Sequence, residues 1–235
     1  MVHAGFAYEN TIGRGPGRAV RAMSAVVPGV ARVWEQVEPY ADAWRAHNLQ
    51  VLDRPGRRWI VIGDSMSQGI GASAYDAGWV GQLDRRLATS SHDLRILNLS
   101  ATGACVRDVL QRQLPALELL SPGDEDLVTV MVGSNDLFGG RARRQRLPNA
   151  YAELIDCLPS RAVVATLPQP VGAARRANVH IERAAEKGRI GMVDLRVTGP
   201  SSWRGRLATD YFHPNDAGYA AIATAFEPTI RATLA

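Results

Sequence analysis

Five short apolar runs, separated by longer stretches of helical character, constrain this chain more than any other feature. They lie at 59–62, 94–99, 127–132, 162–167 and 190–195. Each is bounded by turn-forming residues, the pattern of a strand buried on both faces. Between them, Trp79, Val80, Leu83 and Leu87 recur at helical spacing. So do Val106, Val109, Leu110, Leu114, Leu117 and Leu120, with Pro115 as a blemish, and Tyr151, Leu154, Ile155 and Leu158. Residues 173–187 read as an exposed Ala- and Arg-rich helix, and 214–234 as a last helix with Pro214 in its first turn. Strands alternating with helices imply an α/β protein: a three-layer α/β/α sandwich around a five-stranded parallel sheet with right-handed crossovers. No internal repeat interrupts the pattern.

The segment before residue 58 follows a different rule. Residues 1–18 carry Gly, Pro and Arg without periodicity and read as a poorly ordered arm. From about Arg18 to Asn48, Val30, Val33, Trp34, Val37, Tyr40, Ala41 and Trp44 form an amphipathic stripe that Pro28 and Pro39 should break or bend. The domain expectation is therefore an N-terminal arm and amphipathic helix over 1–57, and the α/β domain over 58–235.

Composition excludes several classes. Hydrophobic residues make up 46% of the chain and charged residues 21%, as in a globular protein. No apolar run is long enough to span a bilayer, so no stable membrane insertion is expected. The first 30 residues lack a secretory pattern, and the expected location is cytoplasmic. The formal net charge of +4 rests almost wholly on arginine, Lys187 being the single lysine. A bias toward arginine and alanine accounts for that as well as a basic surface would, and no nucleic-acid reader motif is present. Cys105 and Cys157 form neither a disulfide framework nor a metal site. Cys157 reads as a small core residue and Cys105 is left open. His3, His47, His92 and His180 read as solvated.

In a parallel sheet, chemistry gathers outside the carboxyl ends of the strands. The first run ends in Gly63-Asp64-Ser65, the second in Ser100-Ala101-Thr102-Gly103, and the third in Gly133-Ser134-Asn135-Asp136. Beyond the fifth comes Asp210-Tyr211-Phe212-His213-Pro214-Asn215. Each has an ordinary alternative. Gly-Asp-Ser is equally a turn, Gly103 a positive-φ residue, Asn135 a turn residue and His213 a helix-start residue. Together they are what acyl transfer needs. Serine is a weak nucleophile until a base removes its proton, and histidine titrates near neutrality. A carboxylate fixes the imidazole tautomer, and N–H donors stabilise an oxyanion.

These blocks resemble those of the SGNH (GDSL-type) hydrolases over roughly residues 58–235. Gly63-Asp64-Ser65, followed by Ser67, Gly69 and Gly71, resembles the first block, with Met66 where the family name would put leucine. Gly103 matches the glycine block and Gly133-Ser134-Asn135-Asp136 the G-x-N-D block. Asp210-x-x-His213, continuing through Pro214, Asn215, Gly218 and Tyr219, resembles the last. The resemblance implies a flavodoxin-like fold and a serine esterase or lipase-like hydrolase of small-molecule esters, with no cofactor and no metal. Ser65 would be the nucleophile, His213 the base and Asp210 its orienting acid. The oxyanion hole would comprise the Ser65 and Gly103 N–H groups and the Asn135 side chain. Asp64 and Asp136 would be structural. Specificity would reside in loops at about 138–147, 168–176 and 198–209. The last holds Ser201, Ser202 and Trp203, and Trp203 reads either as a pocket wall or as a packing residue. The cluster Arg141-Ala142-Arg143-Arg144-Gln145-Arg146 reads as a solvated loop or, alternatively, an anion site. A competing reading is a non-catalytic phosphate- or flavin-binding module that uses Gly69-Ile70-Gly71 as a cradle, although G-x-G-x-x-G spacing and a Walker lysine are missing.

Overall fold

The computed structural model describes residues 6–15, 17, 24–89 and 94–235. In chain order its elements are α1 (Pro28–Trp34), α2 (Val37–Val51), β1 (Arg58–Gly63), α3 (Ser65–Gln68), α4 (Trp79–Ala88) and β2 (Arg95–Asn98). Then come α5 (Val106–Asp108), a π-helical turn (Val109–Gln113), α6 (Leu114–Leu120), β3 (Leu127–Met131), α7 (Ser134–Phe138) and α8 (Arg141–Cys157). β4 (Val163–Ala165), α9 (Gly172–Glu186), β5 (Gly191–Val193) and α10 (Asp216–Leu234) complete the chain. All five strands pair in parallel, in the order β2-β1-β3-β4-β5. The order reverses between β1 and β3, so a crevice opens at their carboxyl ends.

Side-chain alternation along β1 divides the core into two layers. Ile60 and Ile62 point into one, with Leu97, Leu99, Leu117, Tyr151, Leu154 and Ile181. Trp59 and Val61 point into the other, with Trp79, Leu83, Tyr219, Ile222 and Phe226. Trp79 stacks on Phe226 at 4.1 Å, and the Trp59 indole donates to Thr129 Oγ1 at 2.9 Å. That bond satisfies the one polar atom a buried tryptophan carries.

The five strands and the helices between them fall where the apolar periodicity puts them. Local differences have physical causes. The amphipathic stripe is interrupted as expected: one helix starts at Pro28, it ends at Trp34, and the next starts at Val37, with Pro28 and Pro39 each in the first turn of its helix, where the missing N–H costs nothing. Pro115, which would clash with the carbonyl of Gln111 in an α-helix, follows directly on the π-helical turn. Pro214 precedes the last helix instead of opening it; Asn215 is the cap, its side chain accepting from Gly218 N at 3.1 Å. The 141–146 cluster is not a loop but the exposed start of α8, since arginine is a good helix former once Gly139-Gly140 has ended α7. α9 is amphipathic, not simply exposed, with Ala174, Ala177 and Ile181 buried. Cys157, at the end of α8, is exposed and not in the core.

The N-terminal segment also departs from expectation. Of residues 1–18, those at 6–15 and 17 are described, and several of them are packed and bonded. Phe6 and Asn10 are buried, and the Tyr8 hydroxyl donates to Leu99 O at 2.7 Å. The part of the expected helix at 18–23 lies outside the described residues.

Candidate active site

β1 delivers its last residues into the β1/β3 crevice. Gly63 is required there: a Cβ would stand 2.6 Å from Met131 O on β3. Asp64 caps α3, its side chain accepting from Met66 N at 3.0 Å. Ser65 thus occupies the first turn of a short helix, buried to 5% exposure. Gly69 ends that helix with φ +87°. Gly71, at φ +95°, lets the chain pass His213, whose Cβ would stand 2.8 Å from an added methyl.

The first and last of the sequence blocks meet at Ser65. His213 Nε2 lies 3.0 Å from Ser65 Oγ, and His213 Nδ1 lies 2.6 Å from Asp210 Oδ2. The other Asp210 oxygen accepts from the backbone N–H groups of Phe212 and His213, both at 3.0 Å. Burial raises the Asp210 carboxyl, but the His213 hydrogen bond and charge and these two N–H groups outweigh it, and its pKa falls below the ordinary value. A carboxylate held this way keeps the histidine's far nitrogen facing the serine. Tyr211, between them, takes φ +55°, a left-handed conformation uncommon outside glycine, and is exposed.

Asn135, on α7, reaches across to the loop after β2 that carries Gly103. The Asn135 amide donates to Ala104 O at 2.9 Å, which leaves its nitrogen a second hydrogen. Its neighbour Asp136 accepts from Val106 N at 3.0 Å. Gly103 has φ +80°. Burial pushes the carboxyl of Asp64 up to about 7 and that of Asp136 up to about 6, so these two acids differ sharply from Asp210. Both accept from a backbone N–H in the first turn of a short helix, Met66 of α3 and Val106 of α5, in keeping with a scaffold part.

The Gly69-Ile70-Gly71 turn is not an open cradle. Ile70 N donates to Ser65 O, Gly71 N to Gln36 Oε1 and Ala72 N to Gly69 O. Among the described residues, no group of three or more His, Cys, Asp or Glu is gathered to hold a metal ion. A surface cavity of about 760 Å³ lies elsewhere, between α4 and α10, and is lined in part by Arg85, Arg86, Glu227 and Arg231.

Other expectations resolve individually. His47 is half-buried edge-on to Trp44, and burial lowers its pKa, so it is not a solvated histidine. His180 is also half-buried, and His3 and His92 lie outside the described residues. Cys105 donates to Asp108 Oδ2, and burial raises its thiol pKa. Trp203 is partly exposed. The sequence reading missed the polar residues under the site: Asn10, Asn48, Gln68 and Asn98, all buried and bonded to one another's segments. One signal was visible, an asparagine inside the apolar run Leu97-Asn98-Leu99. A buried amide there requires partners.

The model of the GDSL-like Lipase/Acylhydrolase family matches residues 61–221. Esterase TesA of Pseudomonas aeruginosa is 27% identical over 181 residues, covering 74% of this chain and 88% of its own. A crystal structure of TesA superposes with a TM-score of 0.60 at 24% identity, over 76% of this chain and 100% of the other. A Clostridium thermocellum family 3 carbohydrate esterase gives 0.60 at 21% identity, over 76% and 98%. A lipase/acylhydrolase from Enterococcus faecalis gives 0.60 at 19%, over 74% and 96%. At these identities the superpositions speak for the fold.

Proposed function

The chain belongs to the GDSL-like lipase/acylhydrolase family, and from that premise we propose that it cleaves carboxylic esters of small molecules through an acyl-enzyme on Ser65. Ser65 Oγ attacks the acyl carbon while His213 Nε2 takes its proton. The oxyanion is held by the Ser65 and Gly103 N–H groups and the Asn135 amide. The ester C–O bond breaks, and His213 passes the proton to the departing alcohol. Water then attacks the acyl-enzyme with His213 again as base, releasing the acid and restoring Ser65. Asp210 keeps the imidazole oriented and stabilises its cation.

The observation that carries this reading is the unbroken chain Ser65 Oγ, His213 Nε2, His213 Nδ1, Asp210 Oδ2 at 3.0 and 2.6 Å. Its test is Ser65→Ala assayed on a short p-nitrophenyl ester, with folding checked by thermal unfolding. Loss of turnover in a folded variant is expected; undiminished turnover overturns the assignment.

A further inference from the structure

Residues 10–14 lie outside the family match, yet they grip the loop that carries Gly103. Three contacts define the grip. First, the buried Asn10 amide donates to Asn98 O at 2.6 Å and Ser100 O at 3.0 Å, where β2 runs into that loop. Asn10 O accepts from Gln68 Nε2 at 2.9 Å, and Gln68 Oε1 accepts from the Thr102 backbone N–H at 2.9 Å. Asn10 therefore joins the loop after β2 to the helix that begins with Ser65. Second, Ile12 lies over Gly103: a Cβ built on that glycine would stand 3.0 Å from Ile12 Cδ1. Third, Arg14 forms a two-pronged pair with Asp108, at 2.7 and 2.6 Å, and Asp108 Oδ2 accepts from Cys105 N at 2.9 Å. The loop is thus held before, at and after Gly103.

From this geometry we propose that Asn10, Ile12 and Arg14 are positioning residues, which set the orientation of the Gly103 N–H toward the oxyanion. The inference rests on the proposed role of Gly103. A glycine at φ +80° lacks the side-chain contacts that would fix it, and an oxyanion donor is effective only when held in place before the charge develops. Ile12 supplies the contact that Gly103 cannot make for itself. Arg14 and Asp108 hold the chain two residues further on.

Arg14 is half exposed at its side chain and Ile12 is only partly buried, so truncating either leaves the core intact. The test measures kcat and KM of the full chain on a short p-nitrophenyl ester for Arg14→Ala, Arg14→Lys and Ile12→Ala. It adds the affinity of an alkylboronic acid, whose serine adduct mimics the tetrahedral oxyanion, and thermal unfolding. Arg14→Ala and Ile12→Ala should lower kcat roughly 10-fold, with KM within about twofold and boronate affinity falling in parallel. Arg14→Lys, which keeps the charge but loses the planar fork, should recover part of the loss. Wild-type kcat and boronate affinity in the two folded alanine variants would overturn the proposal, as would a rise in KM alone, which marks a substrate wall. Ser65→Ala in the same assay separates the two readings. If it is inactive while Arg14→Ala and Ile12→Ala are wild-type, the positioning role fails and the serine assignment stands. If it is active, the serine assignment itself fails.

Discussion

His213 Nε2 stands 3.0 Å from Ser65 Oγ, joining residues 148 positions apart. The contact depends on Gly71, which lets the chain after Ser65 pass close under the histidine. It depends equally on Asp210, which binds both the ring and the backbone N–H of the same residue.

Asp210→Asn tests that orientation. An asparagine can still accept from the Phe212 and His213 N–H groups, so the loop survives. Its amide would present N–H to Nδ1 and favour the wrong tautomer. We expect kcat to fall roughly 10³–10⁴-fold with little change in KM. Steady-state kinetics check this, and a loss below tenfold would contradict it.

The Asp64 carboxyl gives a prediction for stability. Burial raises its pKa to about 7, against the lowering effect of the Met66 N–H and with help from the Asp136 charge. Unfolded aspartate ionises near 4. Between about pH 4 and 7 the folded protein thus holds a proton that the unfolded chain has released, and stability falls as pH rises through that window. The effect is on the order of 4 kcal/mol. Asp64→Asn keeps an acceptor for Met66 N and removes the titration. Its denaturation midpoint should gain on the wild type steadily from pH 4 to 7; parallel curves would contradict the shifted carboxyl.

One exposed ring borders the histidine and a second borders that ring. Phe212 lies edge-on to His213 at 5.0 Å, and Phe138, at the end of α7, lies edge-on to Phe212 at 5.3 Å. Apolar surface left open beside a reactive group favours an apolar substrate part. Phe138→Ala and Phe212→Ala should raise KM roughly 10-fold for medium-chain acyl esters and leave acetate esters near the wild-type value. A panel graded by acyl length reads this directly, and equal losses on all chain lengths would contradict it.

Much of this architecture is legible in the residues. Trp59 to Ile62, a short apolar run bounded by turn residues, reads as a buried strand, and five such runs with helices between them leave few topologies. The blocks at 63–65 and 133–136 announce themselves because turn chemistry and reactive side chains coincide at strand ends, and the block at 210–213 because an Asp/His pair stands just before the last helix. What lay beyond the sequence depended on three-dimensional neighbours. Asn10 has no periodic signal, since its role is to bond backbone carbonyls some 90 residues away. Arg141 to Arg146 read as loop because adjacent glycines and charges resemble one, although arginine tolerates a helix well. Cys157 looked internal by spacing, but the helix ends there and turns it outward.

The most direct measurement of the central claim is the site of covalent labelling by an alkyl fluorophosphonate. Peptide mass spectrometry should find one adduct, on Ser65, lost in Ser65→Ala and slowed by orders of magnitude in His213→Ala. An adduct on a different residue, or unchanged labelling after Ser65→Ala, would contradict it.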